Sequence, residues 1–192
     1  MSVTVPRLLG ISGSIRKEST NTAILNTLAD TLGAKASLTV FSLNDIPLYN
    51  SDLEGDALPQ PVRALKAAIA ACDGLILATP EYNHGMSGVL KNALDWASRP
   101  AFASPLKHKP ALLMTSSQGY VGGARAHAQM QETLASTLSR VVARPQIVIA
   151  GVAQKIVDGR LVDEATLKFC GEAIDDLLTE IRLLQRAAAT VR

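Results

Sequence analysis

The sequence predicts an α/β fold, a doubly wound parallel sheet with helices on both of its faces. Short apolar runs rich in Val, Ile and Leu alternate along the chain with stretches in which apolar residues recur every three or four positions. Loops that contain Gly, Pro, Ser and Asn separate the two kinds of segment. A chain that alternates strands with helices in this way is typical of a parallel sheet between two helical layers.

Five apolar runs predict the strands of this sheet. They lie at residues 5–12, 37–43, 74–79, 110–115 and 145–151. Pro80 stops the third run. After the fifth run, Asp158-Gly159 lies between two apolar pairs, and this pattern predicts a small hairpin or tight turn.

A helix is predicted after each strand. Three of them cover residues 22–32, about 87–98 and about 124–138. Another is marked by a helical stripe of apolar residues, Val62, Leu65, Ile69 and Cys72. Asp163 is the predicted N-cap of the last helix. The side chains expected to face inward from that helix are Leu167, Ile174, Leu177, Ile181 and Leu184. Nothing in the pattern marks a second domain, so we expect residues 1–192 to form a single domain.

The composition argues against several classes of protein. Lys and Arg number 19 against 17 Asp and Glu, without a basic cluster, which disfavours a nucleic-acid partner. Cys72 and Cys170 form no paired motif, so we expect neither a zinc ribbon nor a disulfide framework, and a reducing compartment. We also expect no leader peptide, no membrane insertion and a cytoplasmic location, because no apolar run is long enough to cross a bilayer.

Three loops have the composition of a ligand site. In doubly wound folds, ligands lie beyond the carboxyl ends of the strands. The loops that follow the first, third and fourth predicted strands are residues 13–22, 79–88 and 116–123, and all three are rich in Gly and polar residues. We therefore expect the functional site at this edge.

The first loop predicts a phosphate-binding site. It joins a strand to the start of a helix, where free N–H groups and the positive end of the helix dipole attract anions. Its donors are Ser14, Arg16, Ser19, Asn21 and Thr22. The alternative is an ordinary polar loop in which Ser19 or Asn21 only caps the helix. The loop matches neither the Walker motif nor the dinucleotide motif GxGxxG.

The second and third loops could hold a flat ligand. In the second, Tyr82 could flank a ring that lies on backbone N–H groups; the alternative is a solvent-exposed loop in which Tyr82 fills a gap and His84 is solvated. Glu81 could be a general base, although a structural role is more usual for an isolated glutamate. The glycines of the third loop permit close backbone approach, or the loop is a flexible connector.

Side chains for catalysis are scarce in this sequence. There is no GxSxG motif, and His84, His108 and His127 are not spaced as metal ligands. No catalytic side chain and no metal are therefore predicted. This pattern favours an enzyme in which a cofactor supplies the chemistry.

Two motifs resemble a known family, the NADPH-dependent FMN reductases. The first loop resembles the family's FMN-phosphate loop through Gly13-Ser14-x-Arg16-x-x-Ser19-x-Asn21. The second loop and its helix resemble the family's flavin-ring loop through Thr79-Pro80-Glu81-Tyr82-Asn83 and then Gly88-x-Leu90-Lys91-Asn92-Ala93-x-Asp95-Trp96. The resemblance is nearest to the bacterial quinone, chromate and azo-dye reductases of that family.

The resemblance implies a flavodoxin-like fold with five parallel strands in the order 2-1-3-4-5 and one non-covalent FMN. The phosphate would be held by Ser14, Arg16, Ser19 and Asn21, beside the donor Thr22. The isoalloxazine ring would be lined by Pro80, Glu81, Tyr82 and Asn83, with Ser117 and Gly119 at its other edge.

The implied activity is a ping-pong reaction. NADPH or NADH passes a hydride to FMN, and a quinone, chromate, an azo compound or free flavin then takes the electrons. One alternative is a flavodoxin-type electron carrier without NAD(P)H oxidation, which the basic pI of about 8.6 disfavours. The other is a non-catalytic nucleotide-binding domain.

The resemblance also implies a homo-oligomer, a dimer or a tetramer, formed through the helix after the second loop. Lys91, Asp95 and Trp96 would then lie near the interface, although Trp96 could instead fill the core. His84 and Met86 depart from the family pattern at positions expected near the nicotinamide or the electron acceptor. Ala128 and Gln146 are departures that leave the choice between dimer and tetramer open.

Overall fold

The computed structural model describes residues 5–190 and contains the predicted parallel sheet between two helical layers. Residues 1–4, part of the segment expected to lack a leader peptide, lie outside the described residues, as do 191 and 192. The strands are β1 (Arg7–Ser12), β2 (Ser37–Phe41), β3 (Gly74–Tyr82), β4 (Gly85–Met86), β5 (Pro110–Ser116), β6 (Arg140–Val141), β7 (Ile147–Ile149), β8 (Ile156–Val157) and β9 (Arg160–Leu161). The helices are α1 (Thr20–Thr31), α2 (Gln60–Ala71), α3 (Gly88–Ala97), α4 (Ala124–Ser136) and α5 (Glu164–Thr190).

The strand order follows the predicted one. The sheet runs β2-β1-β3-β5, all parallel, and the position beyond β5 is occupied by two short strands. There β6 pairs with the beginning of β5 and β7 with its end. The predicted strand over 145–151 is therefore confirmed in a shorter form, as β7, whereas β6 lies before it and was not predicted. Pro145 lies between the two pieces, and a residue without an N–H cannot donate to the strand ladder there.

The third strand is longer than predicted, because Pro80 does not stop it. The carbonyl of Ala78 faces β1, where it accepts from the N–H of Gly13 at 2.7 Å. Residue 80 faces the same side, since directions alternate along a strand. Because β1 ends at Ser12, opposite Ala78, no strand remains there to need an N–H from Pro80, and β3 continues to Tyr82.

Several smaller predictions are confirmed or shifted. The hairpin around Asp158-Gly159 is formed by β8 and β9, and Asp163 accepts from the N–H of Thr166 at 3.0 Å at the start of α5. Helix α1 begins two residues earlier than predicted, because Ser19 caps it. Helix α4 ends before Leu138, which has a left-handed backbone with φ +62°.

The core is aliphatic and lies on both faces of the sheet. One cluster packs α1 and α5 against the sheet, and the other packs α2, α3 and α4 against the opposite face. Every side chain of β5 is buried, which is why its sequence is a continuous apolar run rather than an alternating one. Burying each Leu or Ile contributes about 1.5–3 kcal/mol.

Trp96 fills the core, which was the alternative to an interface position. It is fully buried, and its indole N–H donates to the carbonyl of Pro47 at 2.8 Å. Asn92, one turn earlier, donates to the same carbonyl and accepts from the N–H of Tyr49 at 2.7 Å. This part of α3 therefore fixes the loop after β2, and Lys91 and Asp95 remain at the surface as an ion pair at 2.7 Å.

Within residues 5–190, no helix is long and apolar enough to span a bilayer. The same residues contain no group of three or more His, Cys, Asp or Glu side chains placed to bind a metal. Cys72 and Cys170 are both buried, and both are free thiols.

Candidate functional site

The three loops meet at one edge of the sheet, as predicted. β1, β3 and β5 are neighbours, so their carboxyl ends lie side by side, with Ser12 opposite Ala78 and Pro80 opposite Ser116. The first and second loops are in close contact. A Cβ on Gly13 would lie 2.5 Å from Thr79 Oγ1 and 2.8 Å from Ser87 Oγ, so only glycine permits this approach.

The start of α1 is left open for an anion. Ser19 Oγ accepts from the N–H of Thr22 at 3.2 Å, so Ser19 does cap the helix. Asn21 is not the cap, because its side-chain oxygen accepts from Ser116 Oγ at 3.1 Å. The backbone N–H groups of Thr20 and Asn21 meet no acceptor within residues 5–190. Capping and anion binding are therefore compatible here.

Hydroxyl groups join the helix start to the two strand ends beside it. Thr22 Oγ1 donates to Ser12 Oγ at 2.9 Å, and Thr20 Oγ1 lies 3.2 Å from Ser116 Oγ. Ser14 Oγ accepts from the N–H of Arg16 at 3.4 Å and so shapes the loop. These contacts fix the open N–H groups of α1 relative to the sheet.

Two cations flank the open helix start. Arg16 and Lys17 are exposed, and neither forms an ion pair within the described part of the chain. Both side chains line two clefts, of about 490 and 340 Å³, on either side of the loop. Free cations beside open N–H groups attract a doubly charged phosphate.

The second loop is a β-hairpin, a feature that the sequence did not reveal. Glu81 pairs with Met86 and Tyr82 with Gly85, and the turn residues Asn83 and His84 both have positive φ, +50° and +69°. Two left-handed residues form the type I′ turn that suits a two-residue hairpin. The usual Asn-Gly signal is missing, because His84 stands where glycine is common. We call residues 81–86 the ring hairpin.

Glu81 has the structural role, and it is not free to act as a base. Its Oε2 accepts from the backbone N–H of Arg125 at 3.0 Å and of Ala126 at 3.2 Å, at the start of α4. Its Oε1 lies 3.7 Å from Arg125 Nη1 and 3.8 Å from His84 Nδ1. Its carboxylate is therefore directed at the start of α4.

Met86 and His84, two residues of the ring hairpin, differ in their exposure to solvent. Met86, expected near the nicotinamide or the acceptor, has its side chain buried in the core. The strand pairing turns it inward, and its N–H donates to Gln129 Oε1 at 2.7 Å. His84 is exposed at the tip of the ring hairpin, where Arg125 Nη1 approaches its Nδ1 to 3.0 Å.

The third loop is anchored at both ends rather than free. The N–H of Ser117 donates to the carbonyl of Ile149 at 3.0 Å, and its Oγ accepts from the N–H of Gly119 at 3.1 Å. Gly123, before α4, has φ +94°, and a Cβ there would lie 2.8 Å from the Cβ of Thr115. Tyr82 on the ring hairpin and Tyr120 on the third loop are exposed at this edge.

This edge, with two open N–H groups at the start of α1 and two further loops beside them, agrees with comparisons to known proteins. The sequence matches the family model described as NADPH-dependent FMN reductase over residues 6–155. The chain belongs to this family. A relative from Pseudomonas aeruginosa, named an NAD(P)H-dependent FMN reductase, is 37% identical over 93% of this chain and 97% of its own length. A quinone reductase of Escherichia coli K12 is 37% identical over 84% of this chain and 87% of its own.

A solved structure supports the same assignment for the FMN reductase family. The flavoenzyme NAD(P)H:(acceptor) oxidoreductase FerB of Paracoccus denitrificans superimposes with a TM-score of 0.84 at 32% identity. The alignment covers 93% of this chain and 98% of FerB. The predicted flavodoxin-like fold is thus confirmed, and the chain is an FMN-dependent NAD(P)H oxidoreductase. The residues present fit FMN, because the open N–H groups of α1 and the unpaired Arg16 suit its phosphate.

Proposed function

We propose that this oxidoreductase reduces quinones, with FMN bound across the three loops and its phosphate at the start of α1. The observation that supports the phosphate position most strongly is the pair of open N–H groups at Thr20 and Asn21 beside the free guanidinium of Arg16. Quinones are the proposed acceptors because the Escherichia coli relative is named a quinone reductase. Chromate, azo compounds and free flavin are further acceptors of the same proposed reaction.

The predicted phosphate residues divide into two groups. Arg16, Ser14 and the backbone N–H groups of Thr20 and Asn21 would bind the phosphate directly. Thr22 Oγ1 donates its only hydrogen to Ser12, and Ser19 is buried as the cap of α1, so these two side chains would shape the loop instead. We propose one FMN-binding domain over residues 1–192.

The ring would lie between the ring hairpin and the third loop. Pro80, Tyr82 and Asn83 would line one side, with the backbone of Glu81, and Ser117 and Gly119 would border the other. Bound FMN would accept a hydride from NADPH or NADH and pass the electrons to the acceptor. The chain contributes positioning, because holding reactants about 3–3.5 Å apart supplies much of the rate enhancement. No side chain is assigned as a proton donor, since the Glu81 carboxylate is occupied.

We further propose a homo-oligomer, dimer or tetramer, that uses the exposed surface of α3, where Lys91 and Asp95 are ion-paired. A cytoplasmic location is proposed because NAD(P)H is available there and because the two cysteines are free thiols.

The experiment that tests this function begins with a visible spectrum of the purified protein, with and without added FMN. NADPH or NADH is then added without oxygen, followed by a benzoquinone. We expect a flavin spectrum that bleaches with the reduced nucleotide and returns with the quinone. Flavin that stays oxidised with both nucleotides would contradict the proposal.

Arg16→Ala tests the phosphate position. We expect the FMN dissociation constant to rise about 10- to 150-fold, because a hydrogen bond to a charged group contributes roughly 1.5–3 kcal/mol. Fluorescence titration of the apoprotein with FMN measures this change. Arg186→Ala, at an exposed position near the end of α5, is the matched control. Wild-type FMN affinity in Arg16→Ala would refute the assignment.

A further inference from the structure

Helix α4 begins without a cap of its own. It follows Gly123, which has no side chain to accept from the first N–H groups. Any side chain at 123 is disfavoured, because φ is +94° and a Cβ would lie 2.8 Å from the Cβ of Thr115. The N–H of Ala124 reaches the carbonyl of Val121 at 3.3 Å, but the next two N–H groups need acceptors from outside the helix.

Glu81 supplies those acceptors from the carboxyl end of β3. One carboxylate oxygen accepts from both Arg125 and Ala126, and the side chain is only 13% exposed. A negative charge at a helix N-terminus is favourable, and hydrogen bonds to a charged acceptor are stronger than neutral ones. The contact therefore fixes the ring hairpin to the helix that follows the third loop.

Two further contacts from α4 hold the other strand and the tip of the ring hairpin. Gln129 Oε1 accepts from the N–H of Met86 at 2.7 Å. A Cβ on residue 85 would lie 2.7 Å from that oxygen, so Gly85 permits the contact. Arg125 Nη1 lies 3.0 Å from His84 Nδ1 and must be the donor, since a guanidinium only donates. Arg125 and Gln129 are one turn apart and thus lie on one face of α4.

We infer that Glu81 is a positioning residue for hydride transfer, with Gln129 as its second support. Together they hold the ring hairpin, which presents Tyr82 and the 82–83 backbone, against the helix that leads out of the third loop. The ring hairpin and the third loop, which would flank the flavin ring on its two sides, then stay fixed relative to each other. This inference rests on the proposed function for its link to catalysis, whereas the contact itself does not depend on that function.

Glu81→Ala removes the carboxylate oxygen that accepts both hydrogen bonds from α4, and so frees the ring hairpin. In hydrogen–deuterium exchange, we expect the peptide that covers residues 82–86 to exchange about tenfold faster or more. The kcat/KM for NADPH should fall about tenfold or more, because loss of positioning costs rate. The FMN dissociation constant should change by less than about threefold, because the phosphate loop is untouched. Visible circular dichroism should show a changed environment of the bound flavin.

Glu81→Gln and Glu132→Ala separate positioning from general destabilisation. In Glu81→Gln, the amide oxygen of the new side chain can still accept from α4, so we expect exchange and kcat/KM within about threefold of wild type. Glu132→Ala removes an exposed carboxylate from the same helix and should resemble wild type in every readout. If Glu81→Gln is as impaired as Glu81→Ala, the inferred role of the acceptor oxygens is refuted.

Gln129→Ala keeps the inference testable if Glu81→Ala does not fold. Gln129 is an exposed residue. Its loss should speed hydrogen–deuterium exchange at residues 85–86 and lower kcat/KM for NADPH, as Glu81→Ala does. Wild-type exchange and wild-type kcat/KM in Gln129→Ala would overturn its role as the second support. If wild-type protein does not oxidise NADPH, the proposed function fails, yet the exchange experiment still decides whether Glu81 holds the ring hairpin.

Discussion

Helices α1 and α4 both begin at the carboxyl edge of the sheet, but of the two only α1 has first-turn N–H groups without acceptors among the described residues. At α1, Ser19 caps the helix from its own chain, and the N–H groups of Thr20 and Asn21 remain without acceptors in the described part of the chain. At α4, the carboxylate of Glu81 accepts from the second and third N–H groups, and the first reaches the carbonyl of Val121. The first turn of α1 is therefore open to an external anion, whereas the protein supplies its own anion at α4.

The nearby charges reinforce this difference. Arg16 and Lys17 stand beside α1 without ion pairs in the described structure, so the field there favours a phosphate. Arg125 stands beside α4, but it faces Glu81 and His84. The dipole of α4 thus helps to fix a hairpin, whereas that of α1 would serve phosphate binding in the proposed function.

Gly123→Ser gives the largest expected effect and tests why α4 needs an external cap. Serine is a good N-cap in general, so a local view expects stabilisation. We expect destabilisation by about 2–5 kcal/mol instead, because the left-handed backbone and the overlap with Thr115 both penalise a side chain. Urea unfolding measures the change.

Gly171→Ala is the matched control for that substitution. Gly171 lies inside α5, and a Cβ there would meet nothing within 4 Å. We expect alanine to raise the free energy of unfolding by roughly 0.5–1 kcal/mol. If Gly123→Ser were stabilising as well, the glycine at 123 would not be the reason why Glu81 caps α4.

Ser19→Ala has a smaller expected effect at the other helix. Loss of the cap should lower the free energy of unfolding by about 1 kcal/mol, which corresponds to roughly 2–4 °C in Tm. Because Ser19 shapes the loop around the open N–H groups, FMN should also stabilise the variant less than the wild type. Thermal unfolding with and without FMN measures both effects. An unchanged Tm would show that the Oγ contact with Thr22 does not support α1.

The sequence predicts the polar composition of the first loop better than the contacts of the ring hairpin, and the reason is physical. Ser14, Arg16 and Ser19 lie within one short loop between a strand and a helix, so local spacing carries the information. Glu81 contacts residues 44 and 45 positions away, and no local pattern predicts such a pair. The same limit applies to Met86, whose inward direction is set by pairing with Glu81 and by Gln129.

Alternation of apolar runs predicted a parallel sheet between helices, and the family resemblance implied its strand order, but neither predicted the ends of the strands. Pro80 looks like a strand breaker, and it is tolerated only because β1 ends opposite Ala78. Likewise, the apolar run 145–151 predicts one strand, but only Ile147–Ile149 pairs with β5, and the short β6 before it was not predicted. Both errors depend on which residues a neighbouring strand pairs with, and that is set by the tertiary structure.

His127 adds a pH-dependent difference between the two helices, and its expected effect is the smallest. It lies in the first turns of α4 and is buried, with Nδ1 unpaired among the described residues. Burial lowers the pKa of His127 below its ordinary value of 6.5, while a hydrogen bond to the carbonyl of Leu113 opposes that shift. The corresponding part of α1 holds Ile24, which does not titrate.

The direction of the pH effect follows from this lowered pKa. The unfolded chain binds a proton at His127 at a higher pH than the folded chain does, so the free energy of unfolding falls as the pH drops through about 6.5 and below. His127→Gln removes this contribution, and its amide can still donate to Leu113. We expect the loss of stability between pH 8 and pH 5.5 to be smaller in this variant than in wild type, by urea unfolding at both values. An equal loss in the two proteins would mean that protonation of His127 does not oppose the packing of α4.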